Sequence, residues 1–220
     1  MRHAKPSVTG VCYGQSDVPV AVPHDEAAAS VWRQLEGARV EGLVTSPFER
    51  ARGLAEAIAR LSGHEAPRVD PRLSELSFGE WEGRTFAEIE ASDGARFAAW
   101  MARYTELSAP GGETVKDLDA RVRAFVTEER AHHSGTVLVV AHAGVVRALR
   151  RLRDATTWEQ EMRRPVPYLE VTTLDLEQTR PLGVFAERDR KPLLLDSGSL
   201  VREGERYGSH HVCERAARRR

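Results

Sequence analysis

Short apolar strands alternating with amphipathic helices predict an α/β protein, a three-layer αβα sandwich around a mostly parallel central sheet. Val137-Leu138-Val139-Val140 is an uninterrupted aliphatic run, as in a strand buried on both faces, and it breaks at His142 into a helix start at Gly144. Val40 to Thr45 reads as a second strand, followed at once by Ser46-Pro47, a helix-opening pair. The segments between are long enough for helical crossovers, which are right-handed in such sheets. Ligands of open parallel sheets bind beyond the carboxyl ends of the strands, where Ser46 and His142 stand.

Taken in order, Arg2-His3 should end a strand, but only Met1 precedes it. The first strand therefore reads as truncated, leaving a gap beside its neighbours and a weakly held Arg2 and His3. Extending it upstream with an apolar stretch should raise stability and activity. A helix is expected from about Asp25 to Leu35, its two leading acids suiting the helix dipole. Ser46 to Glu49 has the form of a capping box, so a helix should run from Pro47 to about Leu61, with Leu54, Ala55, Ile58 and Leu61 on one face. Thr85 to Glu88 is a second such box, opening a broken helical region to about Tyr104. After Thr114, the stripe Val115, Leu118, Val122, Phe125 and Val126 marks another helix. A strand over residues 136–141, a helix over Val145 to Leu152 and a final strand from Tyr168 to Leu176 complete one domain, residues 1–176. Residues 177–220, with scattered apolar positions and an arginine-rich end, read as a peripheral or disordered extension.

Composition removes several classes of function. With 32 basic and 33 acidic residues, no global field favours nucleic acid or an anionic membrane. No segment has the roughly 20 apolar residues of a membrane span, and the N-terminus lacks the apolar core of a secretory signal. Cys12 and Cys213 are isolated, which suits a reducing cytoplasm. The expectation is a cytoplasmic monomer or homodimer. His210-His211-x-Cys213 is too incomplete a set to imply a metal.

The polar residues near the strand ends suit phosphoryl transfer, which needs cationic donors around the phosphoryl oxygens, an in-line nucleophile and an acid for the leaving oxygen. A neutral imidazole is a competent nucleophile, and His3 is the candidate, although an Arg-His pair at a chain start is also an ordinary exposed pair. Arg2 and Arg50 offer planar forks that match phosphate; either is equally a solvated arginine. His142 caps a helix whose free amides favour anions, and it also fits a satisfied structural histidine. Glu75 lies among apolar residues that can keep a carboxyl protonated near neutral pH, with Glu80 and Glu82 as rivals. Trp81, Trp100 and Trp158 read as core rather than pocket, and Cys12 as a packed small residue.

Together these motifs resemble the histidine phosphatase superfamily, the phosphoglycerate-mutase-like fold. Arg2-His3-Ala4 matches its Arg-His-Gly motif, Ser46 to Ala51 its Ser-x-x-x-Arg-Ala helix start, and Leu73 to Gly83 its Leu-x-Glu-x-x-x-Gly-x-x-Glu-Gly segment. Pro110 to Glu113 matches its Pro-Gly-Gly-Glu loop and Val137 to Gly144 its second histidine motif. The resemblance implies that His3 is the phosphorylated nucleophile, that Arg2, Arg50 and His142 bind the phosphoryl group, and that Glu75 is the proton donor, with no metal and no cofactor. The family pattern departs at Ala4 and at Lys5 to Val8. Gly10 to Pro19 looks like the loop of bacterial alpha-ribazole phosphatases and should border the leaving group. A small phosphorylated metabolite, alpha-ribazole 5′-phosphate, is the expected substrate. The alternatives are a broad sugar-phosphate or nucleotide phosphatase and an inactive phospholigand-binding member.

Overall fold

A computed structural model of the protein describes residues 1–35, 37–132 and 135–175. Three parallel strands form the centre: β1 (Val40–Thr45), β2 (Arg68–Val69) and β3 (Thr136–Val140), in the order β2-β1-β3. Leu43 pairs with Leu138 and Thr45 with Val140, so β1 and β3 end level at one edge. The helices are α1 (His24–Gln34), α2 (Glu49–Ser62), α3 (Phe86–Arg103), α4 (Val115–His132), α5 (Ala143–Asp154) and α6 (Trp158–Met162). No helix among the described residues is long and apolar enough to cross a membrane.

The three layers follow from the alternation of side chains along each strand. Leu43, Leu138 and Val140 pack with Val31 of α1 and Leu54 and Ile58 of α2. Val44, Val137 and Val139 face the opposite way, onto Leu118, Val122 and Phe125 of α4 and Val145 and Leu149 of α5. Both faces are covered, which is why the run Val137 to Val140 contains no polar residue. A smaller aromatic cluster of Trp81, Phe78, Phe86, Phe97 and Trp100, with Cys12 beneath it, supports the segment after β2. Trp158 is packed in the α4–α5 core, so all three tryptophans read as core do serve packing.

Several elements depart from the sequence expectation. The first strand does not leave an empty place. The Met1 amino group donates to the Val139 carbonyl, the Ala141 amide to Met1 and the His3 amide to Ala141. Arg2 bridges Ala141 on one side and Tyr168 on the other, in parallel sense, so Arg2 and His3 are firmly paired at the strand position. The final strand is not formed: Tyr168 makes that one bridge, and Leu169 then takes a φ of 61°, which breaks the extended run. The Gln34 side chain satisfies the chain instead, donating to the Leu169 carbonyl and accepting from the Val171 amide. The expected end of this strand, Leu176, lies outside the described residues, as do the extension 177–220 and its His210-His211-x-Cys213 group.

Helix α2 begins at Glu49 rather than Pro47, and the Ser46–Glu49 capping box is not made. Asp17 accepts from the Glu49 amide, a cap supplied from 32 residues away. The Thr85–Glu88 box does form, at both its bonds. The break expected after it lies at Asp93, with φ −141° and ψ 32°, where the Asp93 carboxylate accepts from the Trp81 indole at 3.1 Å.

Candidate active site

The carboxyl edge of the sheet gathers the five predicted side chains from four distant segments. His3 follows the Arg2 bridge, Arg50 stands in the first turn of α2, Glu75 follows the 3-10 turn Pro71–Leu73, and His142 is the N-cap of α5. His3 and His142 meet edge to face with ring centroids 5.0 Å apart. Arg2, His3, Arg50 and His142 are all buried, His142 completely. Phe48, Tyr13 and Tyr168 surround them: Phe48 lies against His142, and the Arg2 guanidinium stacks 3.7 Å from the centre of the Tyr168 ring.

Local bonds fix the proton on His3. Its Nδ1 lies 2.6 Å from the Ala4 carbonyl oxygen. A carbonyl only accepts, so Nδ1 is the protonated nitrogen and the Nε2 lone pair is free. Burial, then the Arg50 and Arg2 charges, push the His3 pKa well below its ordinary 6.5 and keep the ring neutral. His142 is pushed the same way by burial, then by His3, Arg50 and Arg2. Its Nε2 is 2.7 Å from the Ser46 hydroxyl, so Ser46, read from sequence as a helix cap, instead orients a histidine.

The two arginines are held by carbonyls more than by acids. Arg2 donates to the Val166 carbonyl at 2.9 Å. Arg50 donates to the Gly14 and Ser16 carbonyls and lies 3.4 Å from Asp17. The Gly10–Pro19 loop thus grips Arg50, a phosphate-binding candidate. Burial lowers the pKa of both guanidiniums, with Glu75 opposing it in each case, yet arginine keeps its charge. Arg2 Nε, Arg50 Nε and His142 Nδ1 are buried and have no hydrogen-bond partner among the described residues. Buried unsatisfied donors cost about 1–3 kcal/mol each. The two guanidinium donors, set beside the His142 ring, form a preorganised electropositive cluster that suits an anion.

Glu75 faces this pocket from the start of α5, accepting from the Gly144 amide at 3.1 and 3.2 Å. The amide that sequence reading left free for an anion is therefore already used by this carboxylate. A Cβ at Gly144 would meet Glu75 Oε1, so any larger residue there has to displace the carboxylate from this position. The rivals of Glu75 separate cleanly. Glu80 is exposed. Glu82 accepts from the Gln15 and Ser16 amides, the Ser16 hydroxyl and the Phe78 amide. Burial pushes the Glu82 pKa up, but these bonds outweigh it and hold the carboxyl below its ordinary 4.5, which suits a staple between loops rather than a proton donor. From sequence, Ser46 reads only as a helix cap, Glu82 only as a rival of Glu75 and Tyr168 only as the start of a strand; their places around the site come from contacts over long sequence distances.

The sequence profile of the histidine phosphatase superfamily, branch 1, matches residues 1–186. A putative phosphoserine phosphatase 2 of Hydrogenobacter thermophilus is 28% identical over 151 residues, covering 68% of this chain and 74% of that protein. The adenosylcobalamin/alpha-ribazole phosphatase of Escherichia coli is 27% identical over 145 residues, covering 65% and 70%. The crystal structure of the alpha-ribazole phosphatase from Shigella flexneri superposes with a TM-score of 0.69 over 77% of this chain and 85% of that one, and at 23% identity it shows the shared fold. The chain belongs to branch 1 of the histidine phosphatase superfamily and is a hydrolase of phosphate monoesters.

Proposed function

We propose that the protein hydrolyses phosphate monoesters through a phosphohistidine on His3, without metal or cofactor. The observation that carries this reading is the short bond from His3 Nδ1 to the Ala4 carbonyl, which leaves Nε2 free and aimed out of its own backbone. In the first step the Nε2 lone pair bonds to phosphorus, the ester P–O bond breaks, and the leaving oxygen takes a proton from Glu75. Arg2, Arg50 and His142 bind the phosphoryl oxygens as charge builds on them. In the second step a water gives its proton to the Glu75 carboxylate and bonds to phosphorus. The P–N bond breaks and His3 is restored as the neutral ring. Each half thus uses one carboxyl group in alternate states.

For the natural substrate we infer alpha-ribazole 5′-phosphate, a small metabolite turned over in the cytoplasm by a monomer or homodimer. The likeness of the Gly10–Pro19 loop and the relatives of that name support it. The rings of Tyr13, Phe48 and Tyr168 near the histidines suit a flat, aromatic leaving group.

Rapid acid and base quenching during turnover tests the mechanism. The expected result is a base-stable, acid-labile phosphate on the peptide holding His3, absent in His3→Ala. A label on serine or aspartate would overturn it. For the substrate, kcat/KM with alpha-ribazole phosphate should exceed that with O-phosphoserine and simple sugar phosphates; a preference for phosphoserine would redirect the substrate and leave the covalent step intact.

A further inference from the structure

Glu75 projects from an irregular stretch between the 3-10 turns Pro71–Leu73 and Gly79–Trp81, with no strand or helix to hold it. Its reach must therefore come from elsewhere. Arg121, on α4, supplies it. The side chain has five N–H donors, and all five are used. Nε donates to Glu113 Oε1 at 3.0 Å, and one Nη2 hydrogen goes to Glu113 Oε2 at 2.9 Å. Nη1 donates to the carbonyls of Arg72 at 2.7 Å and Ser74 at 2.6 Å, and the second Nη2 hydrogen goes to the carbonyl of Glu75 itself at 3.0 Å.

Glu113 closes the clamp from the other side. Its Oε2 accepts from the Ser77 amide at 3.0 Å and from Gln15 Nε2 at 3.4 Å, and that same amide nitrogen donates to the Glu75 carbonyl at 3.1 Å. The backbone is thus pinned at Arg72, Ser74, Glu75 and Ser77, on both sides of the carboxyl group. None of these bonds touches that carboxyl, which remains turned toward Gly144 and the histidines. Arg121 is half-buried beside the apolar stripe of α4, where a guanidinium without partners would be costly. Its donors are spent entirely on one loop.

We propose that Arg121, paired with Glu113, is the positioning residue for the proton donor: it sets where Glu75 stands relative to the leaving oxygen. This rests on Glu75 being that donor. A planar fork is required, because a lysine ammonium keeps the charge but has three donors from a single nitrogen and cannot span three carbonyls and a carboxylate.

The test compares Arg121→Lys with the wild-type full chain on an alkyl phosphate, which needs a protonated leaving group, and on p-nitrophenyl phosphate, which does not. Arg121→Lys should lower kcat for the alkyl ester by roughly 10- to 100-fold, the cost of misplacing a reacting group by about 1 Å. Its loss on p-nitrophenyl phosphate should be far smaller, and KM should move less than kcat. In a Glu75→Gln background the same substitution should add nothing on the alkyl ester. If Arg121→Lys does not fold by thermal melting, Glu113→Gln carries the same comparison. Equal losses on both esters, or a loss that adds to that of Glu75→Gln, would make Arg121 merely structural and overturn the proposal. A Glu75→Gln variant that fails to discriminate between the esters would overturn the donor reading, and the clamp with it. A discriminating Glu75→Gln beside a non-discriminating Arg121→Lys would overturn the clamp alone.

Discussion

At the scale of single residues, the site depends on groups that approach more closely than a methyl group would allow. Gly144 is the sharpest case, because the Glu75 carboxylate occupies the space where a Cβ would go and Leu118 closes the other side. Gly144→Ala should push Glu75 out of line and lower kcat for alkyl phosphates by roughly 10- to 100-fold, while overpacking costs about 1–3 kcal/mol of stability. Steady-state kinetics and chemical denaturation check both; unaltered kcat would show that Glu75 can do its work from another position. Arg50 and His142 could be placed at the sheet edge from sequence because each stands at a strand or helix boundary, whereas Arg2, His3 and Glu75 were marked only by their chemistry and by the family motifs that hold them. Ser46 was misread for the converse reason. A serine before proline and a glutamate three residues on looks like a local cap, whereas its real partner, His142, lies 96 residues away. Arg121 was invisible because an arginine beside an apolar stripe gives no hint that it binds carbonyls up to 49 residues distant.

At the scale of elements, the loops are tied to one another rather than to the sheet. Glu82 joins the Tyr13–Asp17 loop to the Phe78 turn, and that loop in turn holds Arg50 and caps α2 through Asp17. Glu82→Gln should therefore weaken a site it does not touch. Loss of the charge-assisted bonds should cost about 2 kcal/mol of stability, and the inhibition constant of inorganic phosphate should rise several-fold as Arg50 loosens. An inhibition constant that does not change would show that Arg50 is held without the loop. Helices were the most legible elements: the α4 stripe falls on the buried side at each named position, and the broken helix breaks at Asp93. The final strand misled because Tyr168 to Leu174 has strand-like composition, and nothing in it announces the left-handed Leu169 or the Gln34 amide that replaces a ladder. Composition reports burial well and pairing partners poorly.

At the scale of the whole molecule, the two buried histidines link folding to pH. Both have folded pKa values well below the ordinary 6.5, so from about 6.5 downward the unfolded chain binds more protons than the folded one. Stability therefore falls as pH falls through that window, by up to about 1.4 kcal/mol per histidine per pH unit. The carboxylates of Asp70, Asp154 and Glu82, held below their ordinary values, act in a separate and lower window, with Asp154 at about 2. The buried Met1 amino group, lowered from 8.0 to about 5, adds to this slope in the same sense, so denaturation between pH 7.5 and 5 should show a marked loss of stability and His3→Asn should make it shallower; a stability that does not change over that range would mean that these groups ionise freely. The layered architecture was legible because alternation and helical stripes describe faces. The sheet's closing position, where Arg2 lies between Ala141 and Tyr168, was not, since it joins backbone atoms that no periodicity connects. That bridge also governs when the protein can first act during its own synthesis. The Arg2 guanidinium waits for a carbonyl 164 residues later, about 10–30 s at ribosomal speeds of roughly 5–20 residues per second. Through that interval the nascent chain carries His3, the proposed nucleophile, without the groups that surround it in the folded site. A ribosome stalled before Val166 leaves the tunnel should display a chain that hydrolyses nothing, and activity should switch on over a few added codons rather than rise gradually with length.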